Sequence, residues 1–407
     1  MERKLGLKEN WQQFTLLVII NAFVGGMIGL ERNILPQLAE KEFGLTSKTA
    51  LFSFIIAFGI TKAICNYFTG KLANKIGRKK LMIIGWLFAV PVPFILIFAT
   101  NWNWIIFTNI LLGLNQGISW SMAVIMKIDL VGSKKRGLAV GINEFAGYVS
   151  VGLIAFLTSY IANKYGMRPY PFYLGIFFSA AGLLLTIFFL KDTKGHVEIE
   201  SVQSNIPQLK NVFIDTTFKH KSLSGITQAG LVNNLNDGMM WGLLPLILLA
   251  KQFSLSQIGL LTAIYPVVWG VSQLFTGKLS DIYSKKMLPF WGMLMQAIGI
   301  VVLIFAQTQI HFICIGITLG FGTALVYPTF INAIADFTHP SQRAESLGVF
   351  RFWRDLGYAI GALITGIIAD YYGLNVSVVA VGLLTGISAF VILVRVEDCK
   401  KASTISN

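Results

Sequence analysis

Apolar runs of about 20 residues, the length of helix that crosses a hydrocarbon layer about 30 Å thick, succeed one another along the whole chain. They are read at residues 14–36, 49–69, 81–99, 102–126, 138–162, 171–190, 223–249, 257–276, 287–306, 310–335, 346–368 and 374–395. Segments in lipid must satisfy their own backbone groups, so each run is expected to be a helix. The implied fold is an all-α membrane protein of twelve transmembrane helices. Charged residues make up 13% of the 407, against about 25% in an average soluble chain, too few to coat a water-facing surface. The links are short except one, 191–222, which is polar. It divides the chain into six helices over 1–190, a linker, and six helices over 223–407 with a short tail.

The net charge of +14 could suggest a nucleic-acid binder, but the basic residues fall on alternate links. Arg3, Lys4 and Lys8, the run from Lys71 to Lys80, Lys127 with Lys134 to Arg136, the linker, Lys278 with Lys285 and Lys286, Arg343 and the tail from Arg395 all lie on one side. Only Lys41, Lys48, Lys164, Arg168 and Lys251 fall on the other. Cytoplasmic links of membrane proteins carry this excess. Both termini are therefore expected in the cytoplasm, with the lipid bilayer and not nucleic acid as the partner. Cys65, Cys314 and Cys399 have no metal-ligand spacing, and the first span lacks a small-residue cleavage site, so it reads as a retained helix and not a signal peptide.

The two halves repeat. A displacement of 207 residues carries Gly70-Lys71-Leu72 onto Gly277-Lys278-Leu279, Gly113 onto Gly320, Asp129 onto Asp336, Arg136 onto Arg343, Gly141 onto Gly348 and Tyr165-Gly166 onto Tyr372-Gly373. Two similar bundles that rock about a site between them are one way to build a carrier. The link Gly70-Lys71-Leu72-Ala73-Asn74-Lys75-Ile76-Gly77-Arg78-Lys79-Lys80 resembles the cytoplasmic signature of the major facilitator superfamily, and Gly277 through Asp281 to Lys286 resembles its echo. The resemblance spans essentially the whole chain. It implies two pseudo-symmetric six-helix bundles working by alternating access, with Gly70, Asn74, Gly77, Arg78, Lys79, Gly277 and Asp281 in gating links. Three positions depart from the family pattern. Asn74 stands where an acid is usual, Asn109 where many proton-driven members carry Arg, and Gly147 is followed by Tyr148 instead of Pro.

Ionisable groups inside spans are costly, about 2.5–3.5 kcal/mol each at the centre on insertion scales, and normally face a partner or a wet cavity. In the eleventh span Arg351, Arg354, Asp355 and Tyr358 follow helical spacing and form one stripe. Glu144 in the fifth span is the repeat equivalent of Arg351, so the two are expected to face one cavity and to pair in one state. Asn233, Asn236, Asp237 and Met240 share a face of the seventh span, where the amides suit a polar solute. Asp237 is a candidate proton carrier, since burial disfavours charge. In the first span Glu31 and Arg32 point about 100° apart, so one of them is expected to face the cavity. Asn109, Gln116, Trp120 and Lys127 form a stripe in the fourth span, with Asp129 near its inner end.

The expected function is a secondary transporter that moves a small molecule across the inner membrane, coupled to protons and directed outward, through Glu31, Glu144 and Asp237. Arg32, Arg351 and Arg354 support uptake or facilitated diffusion of an organic anion as the alternative. A non-transporting receptor or scaffold is the rival from another class, but it leaves the polar stripes of both halves without a purpose. His196, His220, His311 and His339 lie in links or at helix ends, with no nucleophile elbow, phosphate-cradling loop or cofactor motif to suggest an enzyme. The sequence is silent on oligomeric state.

Overall fold

The structure, a computed structural model, describes residues 5–131, 136–197, 207–338 and 340–398, and their regular structure is helical throughout. Twelve long helices account for most of it. In the first half these are α1 (Trp11–Lys41), α2 (Ser53–Ile76), α3 (Arg78–Phe98), α4 (Trp102–Val131), α5 (Arg136–Tyr165) and α6 (Tyr173–Phe188). In the second they are α7 (Lys221–Ala250), α8 (Leu255–Ile282), α9 (Met287–Phe305), α10 (Gln309–Phe337), α11 (Pro340–Tyr372) and α12 (Leu374–Arg395). Among the described residues nine of these are long and apolar enough to cross a membrane. Of the other three, α4 and α7 have the length but are diluted by buried amides, and α2 is apolar over Ser53–Thr69. Large apolar side chains such as Phe98, Phe188, Phe305 and Val394 stand exposed on the outer surface, as lipid contact requires.

The first span runs five residues further than expected and is broken at Asn33. Pro36 supplies the reason: it has no N–H for the Arg32 carbonyl, and its ring crowds that carbonyl. The Asn33 side chain is held by donating to the Ala155 carbonyl and the Ser159 hydroxyl, both 3.1 Å away on α5. A second interruption, at Val90 in α3, precedes Pro91 and Pro93.

Small residues set the spacing between helices. A Cβ placed on Gly25 would lie 2.2 Å from the Gly147 carbonyl oxygen, and one on Gly29 2.7 Å from that of Val151, so α1 and α5 touch backbone to backbone. The repeat appears in the same terms. Gly113 packs on the Phe58 carbonyl oxygen, 2.8 Å from such a Cβ, and its equivalent Gly320 packs on that of Tyr265, equivalent to Phe58, at 2.7 Å.

The halves meet chiefly through α5 against α8 and α2 against α11. At the end remote from the termini they are sealed. Asp370 of α11 accepts from the Ser47 hydroxyl at 2.8 Å and from the Thr49 amide and hydroxyl at 3.1 and 2.8 Å. Deeper in, Trp241 of α7 stands edge-on to Phe54 and Phe58 of α2, with ring centroids 5.6 and 5.3 Å away. Phe52 lies flat against Gly242, where any side chain would collide with it.

Candidate functional site

The polar residues of the two halves converge on Asp355 of α11. Its carboxylate accepts from the side-chain amide of Asn66, and from that of Asn234 at 3.3 Å. It also pairs with Lys62 Nζ at 3.4 Å and with Arg354 Nη1 at 3.1 Å. Lys62 and Asn66 come from α2, so one carboxylate ties the halves together. Arg354 donates through Nη2 to the Tyr148 hydroxyl of α5 at 3.2 Å and lies 4.2 Å from the centre of the Tyr327 ring. Arg351, one turn earlier, is half-buried and reaches Ser121 of α4 at 3.3 Å.

Between these groups lies a cavity of ≈ 20 Å³, room for about one water. Its walls include repeat-equivalent positions, Trp120 with Tyr327 and Tyr148 with Asp355, so it straddles the pseudo-symmetry axis. A midplane site between repeats is where a carrier binds. The expected stripe of Arg351, Arg354 and Asp355 thus lines one chamber, which is closed down to near-contact in this conformation.

Other expected residues stand elsewhere. Arg32 crosses between the bundles and pairs with Asp237, Nη2 to Oδ1 2.7 Å, with both side chains almost fully buried. The guanidinium lies 5.7 Å from the Trp241 ring and 5.9 Å from that of Tyr265. This pair sits on the far side of the cavity from the termini, beneath the aromatic seal. Glu31 points the other way, into the first bundle beside Asn109. It is fully buried, and neither carboxylate oxygen has a hydrogen-bond partner among the described residues.

Glu144 and Arg351 do not pair here. Glu144 accepts from the Trp120 indole at 3.0 Å and the Asn143 amide at 2.9 Å, while Lys127 donates to the Asn143 side-chain oxygen at 2.6 Å. Trp120 lines the cavity, while Glu144, bonded to its indole, is not among the lining side chains.

Asn233 and Asn236 correct the reading of α7. Both bond to Gln296 of α9, at 3.0 and 3.1 Å, and Asn236 also accepts from Thr385 of α12 at 2.7 Å. They form a seam inside the second bundle, not a cavity wall, because α7 is buried on every side and a polar stripe there has two places to go. Gln116 likewise serves a seam, donating to the Val24 carbonyl of α1 at 2.8 Å, and Asn109 donates back to Ile105 at 3.1 Å.

The expected gating links lie at the end that carries the termini. Gly77 has φ +99°, a conformation that glycine adopts without strain, and it starts α3. Arg78 pairs with Asp129 at 3.3 Å, and Asp129 also accepts from Thr193 at 2.7 Å. The Lys79 amide donates to Asp192 at 3.0 Å. These contacts fasten α3 and α4 to the start of the linker within the first half. The 207-residue displacement carries Arg78–Asp129 onto Lys285–Asp336, which is also an ion pair. Gly277 is buried in α8 and its carbonyl accepts from Ser280 at 2.7 Å. The side chains of Gly70, Asn74 and Asp281, like Cys399 and residues 198–206 of the linker, lie outside the described residues.

Helical spacing and the repeat give no role to Lys62, Asn66 or Ser121, and Tyr148 enters the sequence reading only as a departure from the family pattern. The signal for Lys62 is its insertion cost, which demands a partner for the one cation within the apolar stretch Ser53–Thr69 of α2.

Comparison with known proteins agrees with this geometry. A family model described as Major Facilitator Superfamily matches residues 15–228 and 226–405. The chain is similar to the proton-coupled antiporter flippase LtaA of Staphylococcus epidermidis, with 24% identity over 376 residues, 89% of this chain and 88% of that protein. It is similar to the multidrug resistance protein MdtG of Escherichia coli, with 23% identity over 375 residues, 89% and 90% of the two chains. Among solved structures the human organic anion transporter MFSD10 (TETRAN) superposes with a TM-score of 0.71 over 94% of this chain and 99% of that one, at 15% identity.

Proposed function

The chain belongs to the major facilitator superfamily, and we propose from this that it is a proton-coupled secondary transporter which expels a small solute from the cytoplasm by alternating access. The observation that carries the reading is the set of charged side chains bridging the two bundles at the central cavity and at Arg32–Asp237. A scaffold would have no need of buried ion pairs that join two halves able to part. The named activities of the LtaA and MdtG relatives, proton-coupled antiport and multidrug resistance, support antiport and outward direction. With the termini in the cytoplasm of the cell, the sealed end faces outward, so the conformation described is closed to the exterior.

Among the three acids expected to carry protons, Glu31 has the surroundings the task needs. Asp237 is neutralised by Arg32, and Glu144 accepts two hydrogen bonds with Lys127 close by. Glu31 is fully buried beside Asn109, and among the described residues no cation pairs with it. It neighbours Arg32 in sequence, so exposure of Glu31 in the alternate state and its loss of a proton are tied to the movement of the Arg32–Asp237 pair.

A growth comparison of hosts with and without the protein, across toxicants and nutrients, selects a transported compound. In proteoliposomes Glu31→Gln is then expected to abolish acceleration of its transport by an imposed pH gradient, while exchange of labelled for unlabelled compound continues. Full gradient-driven acceleration in Glu31→Gln would rule out coupling through this residue.

A further inference from the structure

The central cavity holds more positive charge than its own acid can offset. Lys62, Arg351 and Arg354 face it, against Asp355 alone, which leaves a formal excess of two positive charges. Glu144 is not among the side chains that line the cavity; it is bonded to the Trp120 indole, with Lys127 as a nearby cation. Among the described residues Arg351 has the Ser121 hydroxyl as its partner and no carboxylate. Arg354 is 4% exposed, and among the described residues its buried Nε has no hydrogen-bond partner. Charge held out of water without a counter-ion is strongly unfavourable, so a chamber lined this way favours an anion.

We propose that the transported solute carries an anionic group, a carboxylate, sulfate or phosphate, which seats on Arg351, Arg354 and Lys62. The inference rests on the transport reading and names the substrate class of the same site. Guanidinium groups present paired donors that match such oxyanions. Tyr327 and Trp120 also line the cavity and offer aromatic surface to an apolar body attached to the anion. Lys62 belongs to the first bundle and both arginines to the second, so an anion between them draws the halves together and its departure frees them. At ≈ 20 Å³ the cavity is too small for such a solute, so binding requires the bundles to move apart around it.

Purified full-length protein in detergent at constant ionic strength provides the test, read as melting temperature. Benzyl phosphate is compared with benzyl alcohol, and dioctanoyl phosphatidic acid with dioctanoylglycerol. The phosphates are expected to stabilise and the uncharged partners not to. A response to the benzyl pair identifies a free organic anion, and a response confined to the lipid pair identifies a lipid headgroup. Arg351→Gln is expected to raise the concentration needed about tenfold or more. Without any ligand the same variant is expected to melt higher than the natural protein, because one of three crowded cations is gone. Equal protection by the alcohols, or phosphate protection undiminished in Arg351→Gln, overturns the anion site. So does a failure of every phosphate to protect together with unchanged or lower melting of ligand-free Arg351→Gln. Phosphate protection without gradient-driven flux of any compound in vesicles would sink the transport reading and leave the anion site standing. Gradient-driven flux of benzyl alcohol alone would do the reverse.

Discussion

Asp355→Ala is expected to destabilise the protein by about 3–5 kcal/mol, the cost of leaving buried charge uncompensated. Asp355 is 1% exposed and receives Lys62, Arg354, Asn66 and Asn234 at once. Its removal leaves two cations beside a third, Arg351, with no acid on the cavity wall. The deletion also strands the amides of Asn66 and Asn234, each of which then pays for its own desolvation. Melting temperature and monodisperse yield in detergent measure the effect. Lys62→Met added to Asp355→Ala is expected to recover part of the loss, since it removes one orphaned charge while keeping the length of the side chain. The sign contrasts with Arg351→Gln at the same cavity, which relieves repulsion. An Asp355→Ala protein that melts like the natural one would show that the cavity charges are not coupled through this carboxylate.

That a single acid organises the site was only half visible beforehand. The stripe Arg351, Arg354, Asp355 could be read from helical spacing, because α11 has a clear polar face and three ionisable groups fall on it. Twelve helices and their two-fold repeat were legible for a similar reason: the hydrocarbon thickness fixes the run length, and a constant displacement needs no knowledge of contacts. What spacing cannot give is the partner across the interface. Arg32 and Asp237 are 205 residues apart and joined by geometry alone. The repeat points to Glu144 as the mate of Arg351, but equivalence by symmetry places two residues at matching depth, not in contact: Glu144 bonds to Trp120 and Asn143, and Arg351 to Ser121. Asn233 and Asn236 were assigned to the cavity on the assumption that a polar stripe marks a wet face. In α7, buried from Val232 to Leu248, the stripe instead meets Gln296 and Thr385. A helix enclosed on all sides carries no periodic signal to separate the two outcomes.

Asp237→Asn is expected to open the sealed end. The Arg32–Asp237 pair joins the bundles at 2.7 Å with both side chains almost fully buried. When the bundles part there, Arg32 gains solvent, so the cost of losing its carboxylate falls on the closed form and spares the open one. A penalty of about 3 kcal/mol confined to one state shifts the ratio of closed to open molecules on the order of a hundredfold. Leu244, three residues beyond the Trp241 seal along α7 and 6% exposed, reports the change. In a background with Cys65, Cys314 and Cys399 replaced, Leu244→Cys is expected to react slowly with a membrane-impermeant maleimide applied from the sealed side. Adding Asp237→Asn should accelerate labelling on the order of a hundredfold. The double change Arg32→Met with Asp237→Leu fills the space with apolar side chains and is expected to restore slow labelling, since a buried pair can be exchanged for packed hydrophobic groups at little cost. Slow labelling in Asp237→Asn would mean that Phe52, Trp241 and the Asp370 contacts hold this end closed without the ion pair, and that the pair does not govern access.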